Sequence, residues 1–189
     1  MSKLLEADVS TEAGAKTVLS RFQLYALINL ILIGGFLYLG MTGNWFADQS
    51  VTTTADKFAY VFQNFAFIGL VLWISVFWVS NVRQVPNEER WQEAHRPSPG
   101  SALDLAQRIT LNTLEQAVII VLAQLALASV LTPETINATR LLAIVWVLGR
   151  LLFTVGYRIH PFHRSFGMSM TLLPPVITFG YAIYQILFA

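Results

Sequence analysis

The sequence predicts an all-α integral membrane protein with five spanning helices, and three observations carry that prediction. Hydrophobic residues make up 55% of the 189 positions and charged residues only 12%, about half the charged fraction of an ordinary soluble domain. Five apolar runs, roughly 22–43, 58–82, 105–131, 138–157 and 166–188, each come close to the ~20 residues that cross a bilayer as a helix. The runs are continuously apolar, whereas a membrane β-strand alternates in polarity over about ten residues.

Residues 1–21 are polar and lack the short apolar core and small-residue cleavage site of a signal peptide. They are therefore expected to be a cytoplasmic N-terminus, with 22–57 forming a first retained helix and its loop. With that orientation Lys3, Lys16, Arg21, Arg83, Arg90, Arg96, Arg108, Arg158 and Arg164 fall on the cytoplasmic side. Lys57 and Arg140 fall opposite and Arg150 within a span, so the positive-inside rule is satisfied. The second and third runs are joined by a long mixed-charge connection, 81–104, which ends in Pro97, Ser98, Pro99 and Gly100. Ser101, with Asp104 three residues on, starts the third helix in the manner of a capping box. The third and fourth runs are joined by the tight return "TPET", with Thr132 as N-cap and Pro133 in the first turn. That short link predicts an antiparallel neighbouring pair. Pro161 ends or kinks the fourth helix. Pro174 and Pro175 are expected to kink the fifth, and Gly34 and Gly35 to allow close helix contact.

The third run opens on "QRITLNTLEQ". At about 100° per residue, Arg108, Asn112 and Glu115 share a stripe roughly 60° wide. An ionisable group at the depth of Glu115 costs several kcal/mol unless it is paired or lines a wet cavity. Arg108 can snorkel to water and brace the acid through packing. Arg150 in the fourth run is a second candidate partner, because its fork can hold a carboxylate bidentately and remain charged. Tyr157 lies on nearly the same face as Arg150, seven residues on. Arg164 and Ser165 begin the fifth helix, whose free backbone N–H groups favour anions. The mouth of helices three to five thus gathers Arg108, Asn112, Tyr157, Arg158, Arg164 and Ser165 into a cradle for a small polyanion. The chain has no cysteine, so any thiol chemistry needs a thiol supplied by a ligand.

Two motifs now coincide. "RITLNTLE" fits R-x-x-x-N-x-x-E and "RLLFTVGY" fits R-x-x-[FY]-x-x-G-Y, and in order and spacing the chain resembles the membrane-associated proteins in eicosanoid and glutathione metabolism (MAPEG), the family of microsomal glutathione transferases and leukotriene C4 synthase. The resemblance covers roughly 58–188. It implies a MAPEG-type four-helix transmembrane bundle over 58–189, with the helix of 22–57 as an N-terminal addition. It also implies a homotrimer that binds glutathione between subunits on the cytoplasmic side, and a lipophilic substrate arriving from the bilayer.

By the same resemblance Arg108, Asn112 and Glu115 hold the tripeptide's charged ends and backbone. Tyr157 hydrogen-bonds it, Arg150 and Ser165 join the binding set, and Arg83 reaches in from the adjacent subunit. Arg164 is similar to the arginine that stabilises the glutathione thiolate and is the expected catalytic residue. The family reading is a glutathione-dependent transferase or peroxidase; the alternative is a non-catalytic relative that binds ligands or scaffolds. A third reading is a transporter coupled through Glu115 and Arg150. Phe153 stands where many relatives place tyrosine, which removes one hydroxyl from the expected contacts.

The remaining signals point to little chemistry. His160 and His163 lack a third ligand, so no metal site is expected. Every histidine lies in a loop, so no haem is expected either. "NAT" at Asn137 matches a glycosylation triplet by chance in a tight return. Trp73, Trp78, Trp91 and Trp146 are expected as interfacial anchors and bundle packing. The net charge of +1 gives no sign of a nucleic-acid partner, and none is expected.

Overall fold

The computed structural model describes residues 12–84, 97–159 and 163–188; Arg90, Trp91, Arg96, His160 and Pro161 lie outside them. The chain forms α1 (Glu12–Thr42), α2 (Thr54–Gln84), α3 (Ala102–Val130), α4 (Asn137–Ile159) and α5 (Arg164–Phe188), with a 3-10 turn at Pro133–Thr135. Among the described residues five helices are long and apolar enough to cross a membrane, and no strand occurs. Helix α1 starts ten residues before the apolar run that predicts it. Helix α5 continues through Pro174 and Pro175, both buried.

The helix starts follow their local chemistry. Ser101 caps α3 by accepting from the Asp104 backbone N–H at 3.1 Å. The Asp104 carboxylate reaches back to the Gly100 N–H, at 2.9 Å, rather than to that of Ser101. At the return, the Thr132 N–H donates to Thr135 Oγ1 at 3.1 Å, so Thr132 caps the 3-10 turn and α4 begins only at Asn137. The far end of α3 is closed by Lys57, whose ammonium donates to the Leu131 carbonyl at 2.8 Å. A cation there complements the negative end of the helix dipole.

Polar contacts fix which helices are neighbours and in which direction. Asn64 meets Gln124 and Thr110 meets Ser75, so α2 and α3 run antiparallel. Arg150 meets Thr113 and Gln124 meets Thr139, so α3 and α4 do as well. Helix α1 runs parallel to α5, with Tyr25 edge-on to Phe166 at 5.8 Å and Asn29 bonded to Ser169. The apolar core sits mainly between α2, α3 and α4, where Trp146 is enclosed with Ile68, Ala117 and Ile120. Trp73 lies exposed and stacked on Phe77, while Trp78 sits under Arg158, whose guanidinium is 4.2 Å from its ring.

Half a bilayer from the cradle, a closed polar network ties α2, α3 and α4. Asn64 Nδ2 donates to Gln124 Oε1 and Thr139 Oγ1, both at 3.2 Å. Arg140 donates to Asn64 Oδ1 and Gln63 Oε1 and lies over the Tyr60 ring. Away from water each such group needs a partner, and here they find one another. Asn137 is buried and donates to the Trp45 carbonyl at 3.1 Å, which leaves it unavailable for glycosylation.

The closest helix approach differs from expectation. Nothing lies within 4 Å of a methyl built on Gly34 or Gly35, because both are exposed, and the expected contact there does not form. In α1 it is Gly40 that meets Leu141. The tightest seam is between α4 and α5: a Cβ on Gly167 would overlap the Phe153 backbone nitrogen and reach Gly149 O at 2.6 Å. A Cβ on Gly156 would lie 2.7 Å from the His163 carbonyl oxygen. Gly167→Ala is expected to force the seam apart and cost about 1–3 kcal/mol. Gly180→Ala, which meets nothing, is expected to be neutral or slightly stabilising. Thermal unfolding of the two variants in detergent checks the contrast.

Candidate functional site

Arg150 is the structural centre of the site. It is 1% exposed, on the face of α4 turned toward α3. Its Nη1 donates to Asn112 Oδ1 at 2.9 Å and its Nη2 to Thr113 Oγ1 at 2.8 Å. The Phe153 ring covers the guanidinium at 4.1 Å, supplying a cation–π contact in place of a missing carboxylate. Among the described residues its Nε alone finds no partner. The Thr113 hydroxyl also donates to the Ile109 carbonyl at 2.7 Å, so it is free to accept from Arg150.

This arrangement corrects one expectation. Arg150 does not pair with Glu115: the neighbouring Asn112 and Thr113 take its fork, and Glu115 points to the exposed side of α3. Arg108 does not brace Glu115 either, because its Nε is held by Asp104 one turn earlier at 2.8 Å. The three residues of the stripe share a helix face, but its 60° width spans an edge between pocket and exterior.

Above Arg150 lies a cavity of about 450 Å3 lined by Arg108, Asn112, Phe153, Tyr157, Arg164 and Ser165, with Phe22 and Met168 completing it. Its volume falls in the usual range for small-molecule sites. Asn112 Oδ1 is occupied by Arg150, so the polar group that Asn112 has left to offer is its NH2 donor. Arg164 lies over the Tyr157 ring at 4.6 Å and has no hydrogen-bond partner among the described residues. Its position follows from the seam. Gly156 lets the His163–Arg164 backbone come against α4, and this places the first turn of α5 beside Tyr157. The cavity therefore presents two guanidinium groups, an amide donor and two hydroxyls, with apolar surface on the other side.

A comparison with protein families matches the MAPEG family over residues 59–184, more than half the chain. The chain belongs to the MAPEG family. Neither curated proteins nor solved structures give a match. Membership supports a membrane role in glutathione-related or eicosanoid metabolism, and the protein is a multi-pass integral membrane protein.

In this MAPEG protein the structure brings together five of the eight residues that the resemblance assigns to the site: Arg108, Asn112, Tyr157, Arg164 and Ser165. Arg150 supports Asn112 from beneath. Glu115 and Arg83 are outside the cavity of this chain, both exposed and without a polar partner among the described residues. Arg158 also lies outside it, on Trp78. His163 is exposed in the turn before α5, and no group of three His, Asp or Glu that could hold a metal occurs among the described residues. Three contributors escape the sequence reading. Thr113 is legible only as a polar residue beside the motif, and Met168 and Phe22, the latter from outside the matched region, carry no local signal.

Asn112 and Arg150 should behave as one unit. Arg150→Met and Asn112→Ala are each expected to destabilise by about 1–3 kcal/mol, with the double variant well short of additive. Arg150→Met combined with Glu115→Gln is expected to be additive within ~0.5 kcal/mol. Thermal unfolding of the single and double variants gives both answers.

Proposed function

We propose that this protein is a glutathione-dependent transferase or peroxidase acting on lipophilic electrophiles. The observation that carries the reading is the convergence of Arg164, Arg108 and the Asn112 amide on one cavity. Glutathione is a tripeptide with two carboxylates and a thiol, and these groups match two guanidiniums and a donor-rich wall. Arg164 is the residue assigned to the sulfur. A thiol of pKa near 8.5 is mostly protonated at neutral pH, and an adjacent fixed cation lowers that value by favouring the anion.

The thiol proton leaves to solvent, and the thiolate then attacks. With an electrophile, a carbon–sulfur bond forms as the leaving group departs with its electron pair. With a lipid hydroperoxide, two glutathiones are oxidised to their disulfide while the hydroperoxide becomes an alcohol and water. The acceptor enters laterally from the bilayer, and the mouth faces the cytoplasm, as the distribution of arginines suggests.

The active unit is proposed to be a homotrimer. Glu115 stands near the middle of α3 on a face shared with exposed Leu111, Leu114, Val118 and Leu122. An unpaired carboxylate against acyl chains costs several kcal/mol, and a neighbouring subunit that covers this face removes the cost. In such an assembly Glu115 and a neighbour's Arg83 complete the ligand's surroundings.

Two measurements on the full chain in nanodiscs test the reading. Millimolar glutathione is expected to raise the melting temperature by mass action on the folded state, and Arg108→Ala to weaken the effect. Arg164→Ala is expected to keep that stabilisation but lose about a hundredfold in conjugation of a test electrophile, the scale for removing a preorganised electrostatic contact. Unchanged conjugation refutes the thiolate role; stabilisation without turnover in the unaltered protein supports the non-catalytic relative instead.

A further inference from the structure

Helix α1 lies outside the region matched to the family, yet it supplies Phe22 to the polar cavity. Its register against α5 is set by one polar clasp. Asn29 is 0% exposed, and its Nδ2 donates to the Phe166 carbonyl at 2.8 Å and to Ser169 Oγ at 2.7 Å. A carbonyl can only accept, and Ser169 Oγ already donates to the same carbonyl, so the amide nitrogen must face α5. Tyr25, between Asn29 and Phe22 in sequence, packs edge-on against Phe166. The clasp therefore grips the first turns of α5, the part of that helix that carries Arg164 and Ser165.

Two apolar crevices of about 340 and 270 Å3 that share Ile33 run along α1 between the clasp and the Gly40–Leu141 contact, and the smaller is bordered by Asn29 and Phe166 themselves. The buried amide and the Tyr25–Phe166 contact hold its near end together, and the ring they place at the cavity, Phe22, is apolar. Among the apolar members of the cavity, Phe153 is 3% exposed and committed to covering Arg150 and Tyr157. Phe22 and Met168 are only half-buried, and they supply the surface still able to take up apolar material.

We propose that Phe22 is a specificity-determining residue of this site: it is the wall against which the hydrophobic part of the thiol's acceptor lies, and Asn29 is its positioning residue. This rests on the reading of the cavity as a glutathione site. It gives the added helix a chemical role in selecting acceptors by their apolar bulk, beyond simple membrane anchoring.

The test uses S-alkyl glutathiones, in which one molecule carries both the peptide and an acceptor-side chain. Affinities of S-methyl- and S-hexylglutathione are measured on the full chain in nanodiscs. The unaltered protein should prefer the hexyl compound. Phe22→Ala should reduce that preference roughly fourfold to fifteenfold, the loss of one or two methylenes' worth of burial, with the larger loss falling on S-hexylglutathione. Asn29→Ala should reproduce the loss, and Leu24→Ala, on the exposed side of α1, should not. An unchanged hexyl-to-methyl ratio in Phe22→Ala overturns the role of Phe22 while leaving the glutathione reading intact. Failure of the unaltered protein to bind either compound overturns both.

Discussion

A guanidinium buried midway between two helices is the constraint from which the site is built. Bringing Arg150 out of water carries a penalty of several kcal/mol, and the structure offsets it without a counter-charge. Two oxygens of α3 and one aromatic face of α4 take its place. Because the fork is planar and both acceptors are consecutive residues, the contact fixes the height and rotation of α3 against α4. It also consumes the acceptor of Asn112 and leaves the donor. The same interaction thus stabilises the bundle and gives the cavity its polarity.

The second constraint is the glycine seam. A helix that begins at Arg164 could stand anywhere near the end of α4, and only backbone-to-backbone approach at Gly156 and Gly167 puts it beside Tyr157. Helix–helix association in a bilayer has no hydrophobic driving force to rely on, so close approach of small residues supplies dispersion contacts instead. Arg164 is presented with an aromatic neighbour, Tyr157, and no hydrogen-bonding partner among the described residues.

The two ends of the bundle contrast in a way that bears on function. At the far end Asn64, Gln124, Thr139 and Arg140 bond one another in a closed network. A satisfied buried network rigidifies the elements that carry it. At the near end the polar groups line an open cavity. Helix α1 joins both ends: Gly40 and the loop carbonyls of Trp45 and Phe46 tie it to α4 and α2, and Asn29 ties it to α5. Asn44 and Phe46 hold positive φ values of 52° and 59°. Such backbone costs of order 1 kcal/mol per residue, and the carbonyl bonds in that loop help to hold it.

The sequence by itself determined the solvent, the apolar spans and the start of α3, because continuous apolar length and the Ser101 cap act locally. It also marked five residues that meet in the cavity, since Arg108 and Asn112 on α3, Tyr157 on α4, and Arg164 and Ser165 on α5 each lie near the same end of their helices. What it could not determine was who touches whom across helices. Glu115 and Arg150 looked like partners by charge, yet a helix face is wide enough for Asn112 to turn inward while Glu115, three residues on, turns out. Gly34 and Gly35 looked like a contact by composition, whereas contact depends on which face meets α4, and Gly40 occupies that face. Phe22 became part of the site only once Asn29 set the register of α1 on α5. Residue type and spacing fix what a side chain can do; the packing of one helix on another fixes where it does it, because that choice is made by contacts far apart in the chain.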